Sequence, residues 1–232
     1  MKIFEAILAL LRKNFPDEVF SAEGLSLMHR GRFANALVFR YRDGKRDWVI
    51  KDFSQRLWFI RFFYGRWQIG KEFRTMALLR GLSGTTAEVF RLGAYTVAYD
   101  FIGGESLADC GKKGRKLPAA FFERFEELVG EMHERGVAHL DLRNMGNVLA
   151  GADGAPHFID FQSAMLLRWK PGFLKRLLRS VDVSAVYKAW SRHCETALPE
   201  EKRVFLEEFN RMRKFWVLRG YPLSRALGRR KK

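Results

Sequence analysis

His139-Leu140-Asp141-Leu142-Arg143, then Asn147, then Phe158-Ile159-Asp160-Phe161 are the residues on which the reading of this chain turns. Two aspartates stand in apolar company. A carboxylate buried in a Phe-Ile-Asp-Phe strand costs on the order of several kcal/mol unless a cation or a metal meets it. Around them the pattern is short and regular. Asn147 to Ala150 and His157 to Phe161 read as apolar strands joined by an Asp153-Gly154 turn. Pro118 stands where a helix begins, Phe121 to Glu134 carries its apolar stripe, and Gly136 ends it.

Phosphoryl transfer asks few things of a protein: a carboxylate to orient the attacking hydroxyl, oxygen ligands for Mg²⁺, and a cation on the nucleotide phosphates. Asp141 can supply the first. Asn147 and Asp160 can supply the second. Lys51, closing the run Trp48-Val49-Ile50-Lys51, can supply the third, and Glu72, the one acid on the following helix, can hold Lys51 by an ion pair. His139 reads as a brace for the loop rather than as a base. Asp182 reads either as a support beneath that loop or as a helix cap. Among His29, His133, His157 and His193 no metal-ligand spacing occurs.

The first half of the chain reads as strands: Leu25 to Met28, Ala36 to Tyr41, Trp48 to Phe53, Val89 to Leu92 and Tyr95 to Phe101, with a hairpin turn at Asp43-Gly44. Between the third and fourth, Gly70 to Leu82 predicts a helix with Phe73, Met76 and Ala77 on one side. Everything after Met165 reads as helix. Strands first and helices after define an α+β chain in two lobes.

His-x-Asp-Leu followed by Asn and Ile-Asp-Phe is similar to the catalytic loop and metal-binding motif of protein kinases and their relatives. The Val-Ile-Lys strand and the Glu-bearing helix come in that family's order, and the resemblance runs from about Leu25 to Ala164. It is strongest to the small atypical bacterial kinases, the RIO-like group and the lipopolysaccharide core sugar kinases. It implies a two-lobed protein-kinase-like fold, with residues 1–103 as a helix plus a strand-rich ATP-binding lobe and 104–232 as a helical lobe bearing the catalytic loop. It implies ATP and Mg²⁺ as cofactors. Asp141 and Arg143 are then assigned to catalysis, Asn147 and Asp160 to the metal, and Lys51 and Glu72 to the nucleotide. Tyr99-Asp100-Phe101-Ile102-Gly103-Gly104 resembles the hinge, where Asp100 and Ile102 would hold adenine through the backbone.

The chain departs from the pattern in four places. Asn147 comes six residues after Asp141 where five is usual, so Asn144 remains a second candidate ligand. Gln162 replaces the glycine of Asp-Phe-Gly. Gly31-Arg32-Phe33-Ala34-Asn35 stands where a glycine-rich phosphate loop belongs. An Ala-Pro-Glu motif is absent.

Composition bounds the partners. The 232 residues carry 42 Lys+Arg against 26 Asp+Glu, a net charge of +16, which attracts anionic partners. Two cysteines in no paired motif exclude a disulfide scaffold and fit a reducing compartment. Met1 to Leu11 reads as a short amphipathic helix and not as a signal peptide, and no apolar run is long enough to span a bilayer. Phe53 to Lys71, Phe161 to Val181 and Phe209 to Lys232 lack any acid and mix basic residues with Trp, Phe and Leu. Without an RNA-recognition or KH signature, nucleic acid is not the expected partner. An anionic membrane surface is, at a cytoplasmic address peripheral to the inner face of the inner membrane. The acceptor is then a sugar of a lipid-linked glycan such as lipopolysaccharide core. A RIO-like serine/threonine kinase with a protein acceptor is the alternative, and a pseudokinase a third that the presence of Lys51, Asp141, Asn147 and Asp160 argues against. The competing reading of the basic-aromatic stretches is that their rings are simply core.

Overall fold

The computed structural model describes residues 2–31 and 35–214. Its first layer is a five-stranded antiparallel sheet, β1 (Leu25–His29), β2 (Leu37–Arg42), β3 (Asp47–Asp52), β4 (Val89–Arg91) and β5 (Thr96–Asp100), in the order β1-β2-β3-β5-β4. Alternation along the strands sorts the two faces. Phe39, Tyr41, Trp48, Ile50 and Ala98 point outward, where helix α1 (Lys2–Asn14) covers them with Ile7, Leu8 and Leu11. Val49, Val97 and Tyr99 point inward to the main core, and Lys51 shares their parity. The β2–β3 hairpin is closed by Asp43, whose Oδ1 accepts the backbone N–H groups of Lys45 and Arg46.

Helix α2 (Arg66–Leu78) crosses the inner face, entered through a π-helical turn, Ile60–Gly65. The sequence places this helix later, at Gly70 to Leu82, and puts Ala77 on its packed side. The structure corrects both: the buried face is Gln68, Ile69, Glu72, Thr75, Met76 and Leu79, and Ala77 is exposed. Polar residues occupy half of that face because it lines a charged cleft, so an apolar-stripe reading loses the phase.

The second layer is helical. After a short strand β6 (Glu105–Ser106) and helix α3 (Leu107–Lys112), which the pattern did not reveal, come α4 (Ala119–Glu134), α5 (Gly172–His193) and α6 (Glu200–Lys214). Phe121, Phe122, Phe125, Leu128, Val129 and Met132 recur at helical spacing on α4 and meet Ala185, Val186, Ala189 and Trp190 of α5. The strand β7 (Val137–Ala138) leads into the loop that carries Asp141, and the hairpin β8 (Val148–Ala150) and β9 (Pro156–Phe158) follows it. Residues after Met165 are not all helix, as the sequence suggested. Met165–Leu166 form β10 against β7, and α5 starts only beyond Pro171, which supplies its N-cap. The two layers are pinned where Gly84 passes against β9. Its carbonyl accepts the Phe158 N–H at 2.7 Å, φ is +78°, and a Cβ there would lie 2.6 Å from both the Leu128 side chain and the Pro156 carbonyl.

Candidate active site

Lys51 ends the inner run of β3 and is almost wholly buried. Its ammonium donates to Glu72 Oε1 of α2 at 2.5 Å and to Asp160 Oδ1 at 2.8 Å, joining sheet, helix and the loop after β9. Burial opposes its charge, but Glu72, Tyr99 and Asp160 outweigh that and hold its pKa well above the ordinary lysine value. Asp160 is pulled below the usual carboxylate range, first by the charge of Lys51. Its backbone is left-handed, φ 63° and ψ 69°, and its carboxylate remains 41% exposed. An ionised, solvent-reachable carboxylate beside a buried ammonium suits a divalent cation and phosphate oxygens better than a purely structural pair.

Asp141 and Asn147 are held together. The Asn147 amide donates to the Asp141 carboxylate at 2.9 Å and to its carbonyl at 3.1 Å, and the Asn147 carbonyl accepts the Ile159 N–H at 3.1 Å, next to Asp160. That leaves Asn147 Oδ1, approached by the Asn144 amide at 3.4 Å, as an acceptor for a cation. Asn144 itself caps the one-turn 3₁₀ helix Met145–Asn147, with Oδ1 accepting the Gly146 N–H. The extra residue in the loop is taken up by this turn. Asp141 has its pKa raised by burial, against the charge of His139 and the hydrogen bond from Asn147.

The loop rests on Asp182, from the middle of α5 and not at its end, so the brace and not the cap describes it. One carboxylate oxygen accepts the His139 N–H at 2.8 Å and lies 3.0 Å from His133 Nε2; the other accepts the Leu140 N–H at 2.7 Å, where the backbone turns left-handed at φ 66°. His139, wholly buried, has its pKa lowered by that burial and reaches the Ile159 carbonyl at 3.1 Å through Nε2. Asp182→Ala strips three buried donors of their acceptor and is expected to cost about 3–5 kcal/mol, the range for breaking a buried charged network. Urea unfolding measures it, and a loss within ~0.5 kcal/mol, typical of surface positions, would refute the bracing role.

The remaining expected residues fall as follows. The Asp100 carboxylate accepts the Glu88 N–H at 2.8 Å, and the Asp100 N–H donates to the Glu88 carbonyl at 3.3 Å. The Ile102 N–H has no hydrogen-bond partner among the described residues, whereas the Phe101 N–H is taken by the Asp47 carbonyl at 2.8 Å. The guanidinium of Arg143 turns to α5 and α6, bonding Ser184 Oγ at 2.8 Å and Asn210 Oδ1 at 3.0 Å, and makes no ion pair with Asp141. Residues 32–34 of the expected phosphate clamp lie outside the described residues, as do 215–232 of the last basic stretch. Gln68 and Lys71 were not singled out by sequence, yet both donate to the Gln162 carbonyl, at 2.9 and 2.7 Å, tying α2 to the segment after Asp160. Only their helical spacing beside Glu72 could have marked them.

The sheet-and-helix lobe over a helical lobe, with a buried lysine–glutamate pair above and an Asp–Asn loop below, is the two-lobed protein-kinase-like fold. Neither a protein-family model nor a curated protein matches the chain. Solved structures do. The Rio2 kinase from Chaetomium thermophilum is similar with a TM-score of 0.56 at 15% identity, over 88% of this chain and 76% of that one. The Rio2 kinase-ADP/Mg²⁺-phosphoaspartate complex from the same organism is similar with a TM-score of 0.55 at 14% identity, over 85% of this chain and 64% of that one. The chain thus spans just under two thirds of the length of the chain in that complex.

Proposed function

We propose that this chain is an ATP-dependent phosphotransferase with an alcohol as acceptor. The observation that carries the reading is the Lys51 ammonium held between Glu72 and Asp160 above the Asp141–Asn147 pair. Bound Mg-ATP supplies the γ-phosphoryl group and the charge neutralisation that its transfer requires. Asp160 and Asn147 would hold the metal, Lys51, fixed in position by Glu72, would bind the nucleotide phosphates, and backbone groups of Asp100 and Ile102 would hold adenine. Asp141 orients the acceptor hydroxyl and accepts its proton. Residues 1–103 form the nucleotide-binding lobe and 104–232 the lobe that presents Asp141. Mg²⁺-dependent ATP binding by the purified chain, followed by label transfer from γ-labelled ATP, tests this; a chain that binds ATP equally with and without Mg²⁺ contradicts it.

For the acceptor we favour a sugar on a lipid-linked glycan such as lipopolysaccharide core, reached from the cytoplasmic face of a membrane. Support comes from where the aromatic rings lie. Trp58, Phe62, Phe63 and Trp67 are 69%, 53%, 66% and 55% exposed, so they are not core. Arg66, Arg74 and Arg91 line one concavity with three of these rings. Trp169 and Phe173 are also exposed, whereas Leu167 and Leu178 of the same stretch are buried. Among the described residues no helix is long and apolar enough to cross a membrane. Aromatic rings interleaved with arginines suit an interfacial layer bearing anionic lipid. The chain is expected to float with anionic vesicles and to stay behind with neutral ones, and to label core glycolipid rather than a generic protein. No lipid binding together with efficient protein phosphorylation selects the serine/threonine kinase reading instead.

A further inference from the structure

One cationic cluster has no part in the chemistry above. Ser184, Lys188 and Arg192 recur every four residues on α5 and so share a helix face. Arg143 comes to that face from the catalytic loop, and Asn210 and Arg213 from α6. Arg143 bonds Ser184 and Asn210, and Lys188 Nζ donates to the Arg143 carbonyl at 2.7 Å. Every one of these partners is neutral. Among the described residues no carboxylate pairs with any of the four cations; the charges that act on Arg143 are Arg213 and Arg192, and those on Lys188 are Arg143, Arg192 and Arg213. Arg143 Nε is in addition buried without a hydrogen-bond partner among the described residues.

Like charges gathered in a partly buried site raise its free energy unless an anion joins them. Burial and mutual repulsion lower Arg143 to about 10 and Lys188 to about 8. The cluster is also tied to the loop that carries Asp141, through the Arg143 backbone. Arg143 follows Asp141 by two residues, which keeps their Cα atoms within about 7 Å. We propose that Arg143, Lys188, Arg192 and Arg213 form a subsite for an anionic group, a phosphate or carboxylate carried by the acceptor close to the hydroxyl that Asp141 addresses. As a statement about the acceptor it rests on the phosphotransferase reading; as a binding site it can be measured without it. The acceptor so defined is an acidic or already phosphorylated sugar, not a neutral one.

Inorganic sulfate is the probe, because it does not titrate over the range used. It is added calorimetrically, at constant ionic strength, to the full chain and to Lys51→Met, Lys188→Gln and Lys188→Gln/Arg192→Gln variants. Lys51→Met is expected to bind as the parent does, and the double variant at least about tenfold more weakly, as for lost charge-assisted hydrogen bonds. Affinity of the parent is expected to fall as pH rises through about 8, where Lys188 loses its proton while Arg143, at about 10, keeps its own. Lys188→Gln should flatten that profile. Unchanged melting temperatures of the two Lys188 variants, and a single cooperative melting transition in Lys51→Met, establish that they fold. Absence of sulfate binding by the parent overturns the subsite. So does binding lost in Lys51→Met but kept in the double variant, which would put the anion in the nucleotide cleft. A chain that binds sulfate as described yet never binds Mg-ATP would sink the phosphotransferase reading and leave the subsite standing.

Discussion

Asp141→Ala is expected to lower turnover by about 10²–10⁴-fold, the range for a positioned acid–base group, while Mg²⁺-dependent ATP binding stays close to that of the parent. The expectation follows from geometry. The Asp141 carboxylate accepts the Asn147 amide and, among the described residues, makes no bond to Lys51, Glu72 or Asp160. The loop keeps its shape without it, because Asp182 holds the backbone at His139 and Leu140. The loss should therefore appear in kcat, with the nucleotide constant little moved. Single-turnover label transfer separates the two, and an alanine enzyme within ~threefold of the parent, well short of that range, would remove Asp141 from the chemistry.

The second large effect concerns the metal and the phosphates. Asp160→Ala is expected to abolish Mg²⁺-dependent ATP binding, and Lys51→Met to cut activity with the fold intact. Asp160 lies 109 residues from Lys51 in sequence and 2.8 Å from it in space. Removing the carboxylate takes away the proposed metal ligand and one of the two carboxylates on the lysine at once. Lys51→Met replaces the ammonium by an apolar chain of similar length but leaves Glu72, wholly buried, with no cation on Oε1. A lower melting temperature should accompany the loss of activity for that reason. Calorimetric titration with ATP, with and without Mg²⁺, reads both variants. Asn147→Ala and Asn144→Ala belong beside them. The Asn147 side chain bonds both the Asp141 carboxylate and its carbonyl, while that of Asn144 caps a turn and approaches Asn147 Oδ1, so Asn147→Ala should be the damaging one. The reverse result would shift the metal site to Asn144.

Much of the site could be read in one dimension. The two aspartates were conspicuous because ionised groups in apolar runs need partners. Lys51 was legible because it closes a β-branched run ahead of those motifs; that it shares the inward face with Val49 came from the sheet. The long helix of the second lobe showed itself through its phenylalanines at helical spacing. The helix carrying Glu72 was read in the wrong register, and its entry through Ile60–Gly65 was not seen. A run apolar on all sides and studded with arginines offers no contrast for a periodicity to show.

Legible in one dimension were the charged groups, the spacing of Asp141, Asn147 and Asp160, and the basic and aromatic residues interleaved after β3. Only the tertiary structure decided what each face meets. It set Lys51 between Glu72 and Asp160, put Asp182 under the catalytic loop, exposed the rings of Trp58, Phe63 and Trp67, and turned Arg143 toward Lys188 and Ser184. The reason is physical. Backbone geometry repeats every two or 3.6 residues and is written locally, whereas a contact between residues tens of positions apart depends on how whole elements pack, and no short window of sequence contains that packing.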